Sequence, residues 1–280
     1  MPKLLLKPIN MTFSNSVPSP VALIRPLALV DLDDTLFQTH NRIKPDPSYQ
    51  VATTDKDGQP LSYMSPTQWQ FVQWLFHSTD VVAITARSVE ALSRVQFNFN
   101  HGAVCSHGGT ILNPDGTVDQ DWHQHMQQAL TPYQSKLQRL MDYVQKAAVE
   151  FGSIRTWIVE EENLGLYLVV KQNQPDMLFL KTFLQQIPVE LLDGFYSHMN
   201  GNNLALIPHV VSKASATQAL LKKQHIASQP ILGFGDSLSD VGFLSQCDWW
   251  GMPKHSQLNR WVAKALQTQY TQEGYYGDYQ

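Results

Sequence analysis

Three carboxylates, Asp31, Asp33 and Asp34, crowd into four positions directly after the apolar run Leu27 to Val30. Like charges this close repel, so a cation or a partner must offset them. Residues two apart in extended backbone point to the same side. Asp31 and Asp33 could therefore address one bound group, if the extension persists. An acidic loop after a strand is the plain alternative. Two further apolar runs end in polar chemistry. Val81 to Ile84 leads into Thr85-Ala86-Arg87, a hydroxyl and a cation. Pro230 to Phe234 leads into Gly235-Asp236-Ser237-Leu238-Ser239-Asp240, and Lys213 opens the helical stretch before it.

Short apolar runs bounded by turn or polar residues read as buried strands. In an open α/β sheet, ligands bind in the crevice beyond the strands' C-terminal ends. The runs at Leu27, Val81, Ala103 and Pro230 alternate with helical stretches. Ser65-Pro66 starts one well, an N-cap followed by proline at the first helical position. Thr39 to Gly58 reads as a polar excursion over the sheet edge, and Ser88 to Phe99 as a returning helix. From residue 113 the pattern changes. A Gln-rich amphipathic stretch, Gln120 to Phe151, is interrupted by Pro132 and closed by Gly152. Strand-like runs follow at Ile154 to Glu160 and Leu164 to Val170, then a helix from Pro175 to Gln186, then runs at Val189 to Tyr196 and Leu204 to Ile207. The order α-β-β-α-β-β with hairpin-length links predicts a small sheet covered on one face by helices.

The expected fold class is α/β: a Rossmann-like core with a mainly parallel sheet and helices on both faces, plus an inserted α+β cap. The expected parts are an N-terminal tail (1–20), a catalytic core (21–112 and 204–280) and the cap (113–203). The chain has 280 residues, 43% hydrophobic and 16% charged, enough for a sizeable core, and its net charge of −4 argues against a nucleic-acid face. Cys105 and Cys247 form no C-x-x-C, and two lone thiols suit a reducing cytoplasm. No apolar stretch of signal-peptide or membrane length follows the N-terminus. A cytoplasmic protein, monomer or homodimer, is expected.

The four polar segments, in this order, resemble the signature of the haloacid dehalogenase superfamily of phosphohydrolases. They are Asp31-Leu32-Asp33-Asp34-Thr35, Ile84-Thr85-Ala86-Arg87, Val211-Ser212-Lys213 and Gly235-Asp236-Ser237-Leu238-Ser239-Asp240. The insert resembles the type-two α/β cap of the Cof-like, sucrose-phosphatase, trehalose-phosphate phosphatase and phosphomannomutase branches. The resemblance implies a phosphatase acting on a small phosphomonoester, a sugar phosphate by preference, with Mg2+ as cofactor.

Phosphoryl transfer needs an in-line nucleophile, charge neutralisation and a proton for the leaving oxygen. On the resemblance, Asp31 is the nucleophile, forming an aspartyl-phosphate, and shares Mg2+ with Asp236 and the Asp33 carbonyl. The Asp33 side chain protonates the leaving alcohol and later deprotonates water. Thr85 donates to a phosphoryl oxygen, Lys213 neutralises charge, and Asp240 orients a metal-bound water or Lys213. Many type-two members carry glycine where this chain has Asp34, and solvent is the favoured destination for that side chain.

Arg87 reads equally as a substrate contact or a sheet-end ion pair, and Arg42 and Lys44 as charges that help admit an anion or, by preference, as exposed solubilising charge. His101 and His107 flank a strand without a partner signal. Cap turns would set specificity, with Glu161, Glu162, Asn163, His198 and Asn202 as candidates that are equally ordinary hairpin residues. A phosphomutase and a non-catalytic phospho-ligand-binding module are the alternatives. The second is disfavoured by the intact Asp31, Asp33, Lys213 and Asp236.

Overall fold

The computed structural model describes residues 24–40, 42–151, 154–173 and 177–273. The expected tail, and the positions of Gly152 and Pro175, lie outside these. Strand β1 (Leu27–Val30) is buried along its whole length, as a strand covered on both faces must be. The chain then forms β2 (Gln38–Thr39), β3 (Gln50–Thr54), β4 (Pro60–Met64), α1 (Pro66–Ser78), β5 (Asp80–Ile84), α2 (Val89–Leu92), β6 (Ala103–Cys105) and β7 (Thr110–Leu112). Ser65 caps α1 through a capping box with Gln68, and Pro66 occupies its first turn. Next come α3 (Gln120–Phe151), β8 (Ile154–Glu161), β9 (Leu164–Gln172), α4 (Met177–Gln186), α5 (Val189–Leu192), β10 (Phe195–Asn200) and β11 (Asn203–Pro208). The last elements are α6 (Lys213–Gln224), β12 (Ile231–Phe234), α7 (Val241–Leu244), β13 (Trp249–Gly251) and α8 (Gln257–Glu273).

The central sheet has the order β13-β12-β1-β5-β6-β7. Its pairings are parallel except β6 with β7. Side chains alternate between its faces. Leu27, Leu29, Val82 and Ile84 pack with Val211, Ala216, Leu220 and Phe243. Ala28, Val30, Val81 and Ala83 pack with Val72 and Leu75 of α1. The mainly parallel sheet with helices on both faces is thus as expected.

A second sheet, β10-β11-β9-β8, is antiparallel throughout. Leu168, Val170, Leu204 and Leu206 on one face pack with Leu137, Leu140, Val144, Leu180 and Phe183 of α3 and α4. The opposite face carries Tyr167, Val169, Ala205 and Ile207 into the cluster of the central sheet. The expected boundary between 203 and 204 therefore cuts off a strand that pairs wholly with this second sheet.

Four further expectations are corrected. Thr39 to Gly58 is not a plain excursion, since β2, β4 and β3 form a three-stranded sheet. The hairpin turns where Asp55 accepts the N–H groups of Asp57 and Gln59 and Gly58 takes φ +77°, a conformation open to glycine. The helix after Ser88 stops at Leu92. Val95 bridges to Thr53, and Phe97 and Phe99 turn in against Phe76. Pro132 does not interrupt α3, which runs for 32 residues. Its apolar stripe packs on the central cluster through Trp122, Met126 and Leu130 and on the second sheet beyond Pro132, so tertiary contact offsets the lost backbone bond. Val189 begins a helical turn, and the strand starts only at Phe195, after Gly194 at φ +86°.

Candidate active site

Asp31 still belongs to the ladder of the central sheet, since its N–H donates to Phe234 O at 2.9 Å. The chain then turns sharply. Asp34 takes φ +62° and donates to Phe37 O, while Leu32, Leu36 and Phe37 bury their side chains beneath the turn. The Asp31 carboxylate is left in a buried crevice with both oxygens bonded. Lys213 Nζ donates to Oδ1 at 2.7 Å, and Thr35 Oγ1 to Oδ2 at 3.0 Å. Lys213, the first residue of α6, is buried and donates at 2.7 Å to Asp240 Oδ1 as well. The other Asp240 oxygen accepts the N–H groups of Asp236 and Ser237 and the Ser237 hydroxyl. Asp240 thus holds the loop after β12 in shape and Lys213 in place. Asp31, Asp236 and Asp240 present oxygens that all lie within 4.8 Å of one another.

Thr85 is buried at the end of β5, where its hydroxyl accepts the Arg87 N–H at 3.1 Å. Arg87 grips Asp33 with both arms, Nε and Nη2 each 2.7 Å from a carboxylate oxygen. Of its two readings, the structure places it as the ion pair. Asp34 and Arg42 are corrected together. Asp34 does not face solvent, and Arg42 is not idle surface charge. Arg42 Nη1 lies 3.2 Å from Asp34, and its Nη2 donates at 2.5 Å to Asn200 Oδ1 at the end of β10.

Burial pushes the Asp31 carboxyl well above the usual carboxylate range, with Asp240 and Asp236 adding to the rise and Lys213 opposing it. Asp236 is pushed up to about 7, first by burial, then by Asp240 and Asp34. In Asp240 burial pulls upward too, but Lys213 and the Ser237 donors prevail and hold it below its ordinary range. Burial lowers Lys213, and the two carboxylates outweigh it and raise it. Three carboxylates against one ammonium leave an excess of negative charge. A hard cation with oxygen ligands would relieve it, so the donor set fits Mg2+.

The cap candidates divide. His198, on β10, lines a cavity of about 590 Å³ that also touches His107, Tyr196, Ser212, Lys213 and Gln257. Glu161 is occupied elsewhere, its Oε1 accepting the Val89 N–H and the Ser106 hydroxyl, each at 2.9 Å. Glu162 and Asn163 form the exposed two-residue turn between β8 and β9, both at positive φ. Asn202 donates to Gln172 O at the opposite end of β9. The structure thus gathers Asp31, Lys213, Asp236 and Asp240, with Thr85 and the Asp33–Arg87 pair at the neighbouring strand ends. It leaves Asn163 at a hairpin tip and Asn202 in a backbone contact. Sequence reasoning gave Thr35 and Tyr196 no role of their own and left His107 without a partner. Thr35 sits one turn after Asp31 in the same segment, which was its signal. His107 had only the Gly108-Gly109 pair behind it.

Residues 125–250 match the family of haloacid dehalogenase-like hydrolases. No curated protein matches the chain. Among solved structures, the sucrose-phosphatase of Synechocystis sp. in complex with sucrose and phosphate is similar at 17% identity, with TM-score 0.50, over 92% of this chain and 90% of that one. The C-terminal domain of trehalose-6-phosphate phosphatase from C. albicans is similar at 18% identity, with TM-score 0.53, over 79% of this chain and 72% of that one. A protein from Eubacterium rectale aligns at 11% identity, with TM-score 0.53, over 85% of this chain and 91% of that one. At these identities the likeness establishes the fold. Over residues 125–250 the chain is similar to haloacid dehalogenase-like hydrolases, and the whole chain shares the fold of these structures, an α/β core with a second, antiparallel sheet.

Proposed function

We propose that the protein hydrolyses a small phosphomonoester, a sugar phosphate by preference, through an aspartyl-phosphate on Asp31. The observation that carries this reading is Lys213, buried and hydrogen-bonded to both Asp31 and Asp240 beside Asp236. An anion-transferring nucleophile needs its own charge and the phosphoryl charge offset at once, and this arrangement does so in a buried setting. Asp31, Asp236 and the Asp33 carbonyl would hold Mg2+, with Asp240 behind them. Bound there, the ion would supply charge neutralisation for the approach of carboxylate and phosphate.

The chain's own residues divide the remaining work. An Asp31 oxygen attacks phosphorus as the bond to the leaving oxygen breaks, and Asp33 gives that oxygen its proton. In the second half, Asp33 takes a proton from water as the water oxygen attacks phosphorus, and the bond to Asp31 breaks to release phosphate. Arg87 holds Asp33 by a two-armed contact at the crevice edge, and one arm must release its oxygen before Asp33 carries the proton for the leaving group. Thr35 orients the Asp31 oxygen that Lys213 does not touch, and Thr85 donates to the phosphoryl group.

The second sheet, with α3, α4 and α5, is the proposed cap, residues 113–208, and it closes the site against water. Sugar phosphates are favoured because two structures of similar fold are a sucrose-phosphatase and a trehalose-6-phosphate phosphatase domain. Both cysteines are free, and among the described residues no helix is long and apolar enough to cross a membrane. A reducing cytoplasm is the proposed setting. Asp31→Asn should abolish phosphate release from a generic aryl phosphate with Mg2+ while thermal unfolding stays cooperative. Full activity in that variant would overturn the mechanism.

A further inference from the structure

Two imidazoles meet across the seam between the central sheet and the cap. His107 stands in a stretch of backbone that L-residues avoid. Ser106, His107 and Gly108 take φ of +52°, +59° and +102° in succession. Such strain persists only where the surroundings over-determine it. Here the Ser106 N–H donates to Arg87 O at 2.7 Å, the His107 N–H to Thr85 O at 3.2 Å, and Trp122 Nε1 to Gly108 O at 3.0 Å. Gly108 lies so close to α6 that a Cβ would sit 2.2 Å from Ser212 O. The outcome is a histidine only 6% exposed at the cavity wall. Its ring stands edge-on to Tyr167 at 5.2 Å and to His198 at 5.1 Å.

Neither imidazole has a hydrogen-bond partner on its ring nitrogens among the described residues. Burial lowers both from the usual histidine value, helped for His107 by His198 and Lys213 and for His198 by Lys213. A neutral imidazole offers one donor and one acceptor. The cavity's other groups are largely committed. The Tyr196 hydroxyl donates to Val211 O, and Gln257 Oε1 accepts the Leu238 N–H. Lys213 is the only charged residue among those lining the cavity, and two carboxylates already occupy it. A second anionic group on the substrate would find no counter-charge there, while hydroxyls would find two free imidazoles.

We propose that His107 from the core and His198 from the cap recognise the leaving group together, selecting an uncharged, hydroxyl-bearing one over one that carries a second phosphate or a carboxylate. This rests on the phosphatase reading and deepens it. The pair spans both sheets, so its contacts are complete only when the cap sits on the core.

The test compares kcat/KM of the Mg2+-loaded full chain for three substrate kinds. These are 4-nitrophenyl phosphate, a panel of neutral polyol and hexose monophosphates, and the matching bisphosphates and phosphoglycolate. Wild type should favour its best monophosphate of an uncharged alcohol over every relative with a second anionic group by at least about ten-fold. In His198→Ala and in His107→Asn, whose asparagine tolerates the left-handed backbone, the ratio of that substrate to 4-nitrophenyl phosphate should fall about ten-fold, mainly through KM, the size of one lost hydrogen bond. A ratio taken within one preparation is insensitive to the fraction folded. Wild type turning over the bisphosphates equally well, no turnover of any monophosphate of an uncharged alcohol, or an unchanged ratio in either variant would each overturn the inference. If wild type leaves 4-nitrophenyl phosphate intact, the phosphatase reading itself fails.

Discussion

Asp236 lies half-buried between Asp240 and Asp34, and its carboxyl is pushed from an ordinary 3.8 up to about 7. The sign of the effect on stability follows. Below about pH 4 the group is protonated in folded and unfolded chain alike. Between about pH 4 and pH 7 the folded chain keeps a proton that the unfolded chain releases, so rising pH favours unfolding; above that the penalty is constant. Asp236→Asn lacks this group. In metal-free protein, the Tm of Asp236→Asn should exceed that of wild type by a margin that grows from pH 4 to pH 7. Mg2+ at pH 7.5 should raise the Tm of wild type and leave the variant nearly unmoved. A constant margin across pH would overturn the raised Asp236 carboxyl, and equal shifts with Mg2+ would remove Asp236 from the metal site. The acidic residues were legible because a strand end fixes where its next residue points, so Asp31, Thr85 and Asp236 followed from three apolar runs. Asp34 and Arg42 were misread for the opposite reason. Their pairing depends on Asn200, more than 150 residues along the chain, and on a cap turn that no local pattern places.

At the scale of elements, the runs that read truly were those whose burial leaves no choice, such as β1, β5 and β12. Where packing overrode local preference, the reading failed. Pro132 lies inside α3 because both sheets hold the helix, and Val95 leaves the expected helix to pair with Thr53. The β8–β9 hairpin shows the same dependence. Its last β8 residue, Glu161, reads locally as a turn carboxylate. In the fold it accepts from the first residue of α2 and from the strained Ser106 at once. Glu161→Ala should leave Ser106 Oγ and the Val89 N–H without that partner at a half-buried seam, costing about 1–3 kcal/mol in chemical denaturation. Glu161→Gln keeps an acceptor oxygen and should cost less than half as much. Equal losses in the two variants would mean that charge, not acceptance of these hydrogen bonds, is what Glu161 contributes.

At the scale of the whole molecule, cap and core share an apolar cluster, and dispersed polar contacts join them as well. Arg42 reaches Asn200, Glu161 reaches Val89 and Ser106, Tyr167 donates to Ala86 O at 3.3 Å, Tyr196 donates to Val211 O at 3.1 Å, Trp122 donates to Gly108 O, and Lys223 pairs with Asp119 and Asp121. Exposed contacts at the edge of such an interface open more readily than its packed apolar centre. The Arg42 contact is the one of these that also touches the carboxylate cluster, through Asp34. A bound phosphate mimic should therefore tighten the seam at the β10–β11 turn first. Hydrogen exchange measured with Mg2+ and orthovanadate should slow at 200–203, while the buried middle of β9 keeps its rate, because that strand is protected in both states. In Arg42→Ala the slowing at 200–203 should be largely lost, with orthovanadate still bound as judged by inhibition. Slowing spread evenly over the molecule would indicate global stabilisation by ligand, and slowing that survives in Arg42→Ala would assign closure to the Glu161, Tyr167 and Tyr196 contacts instead.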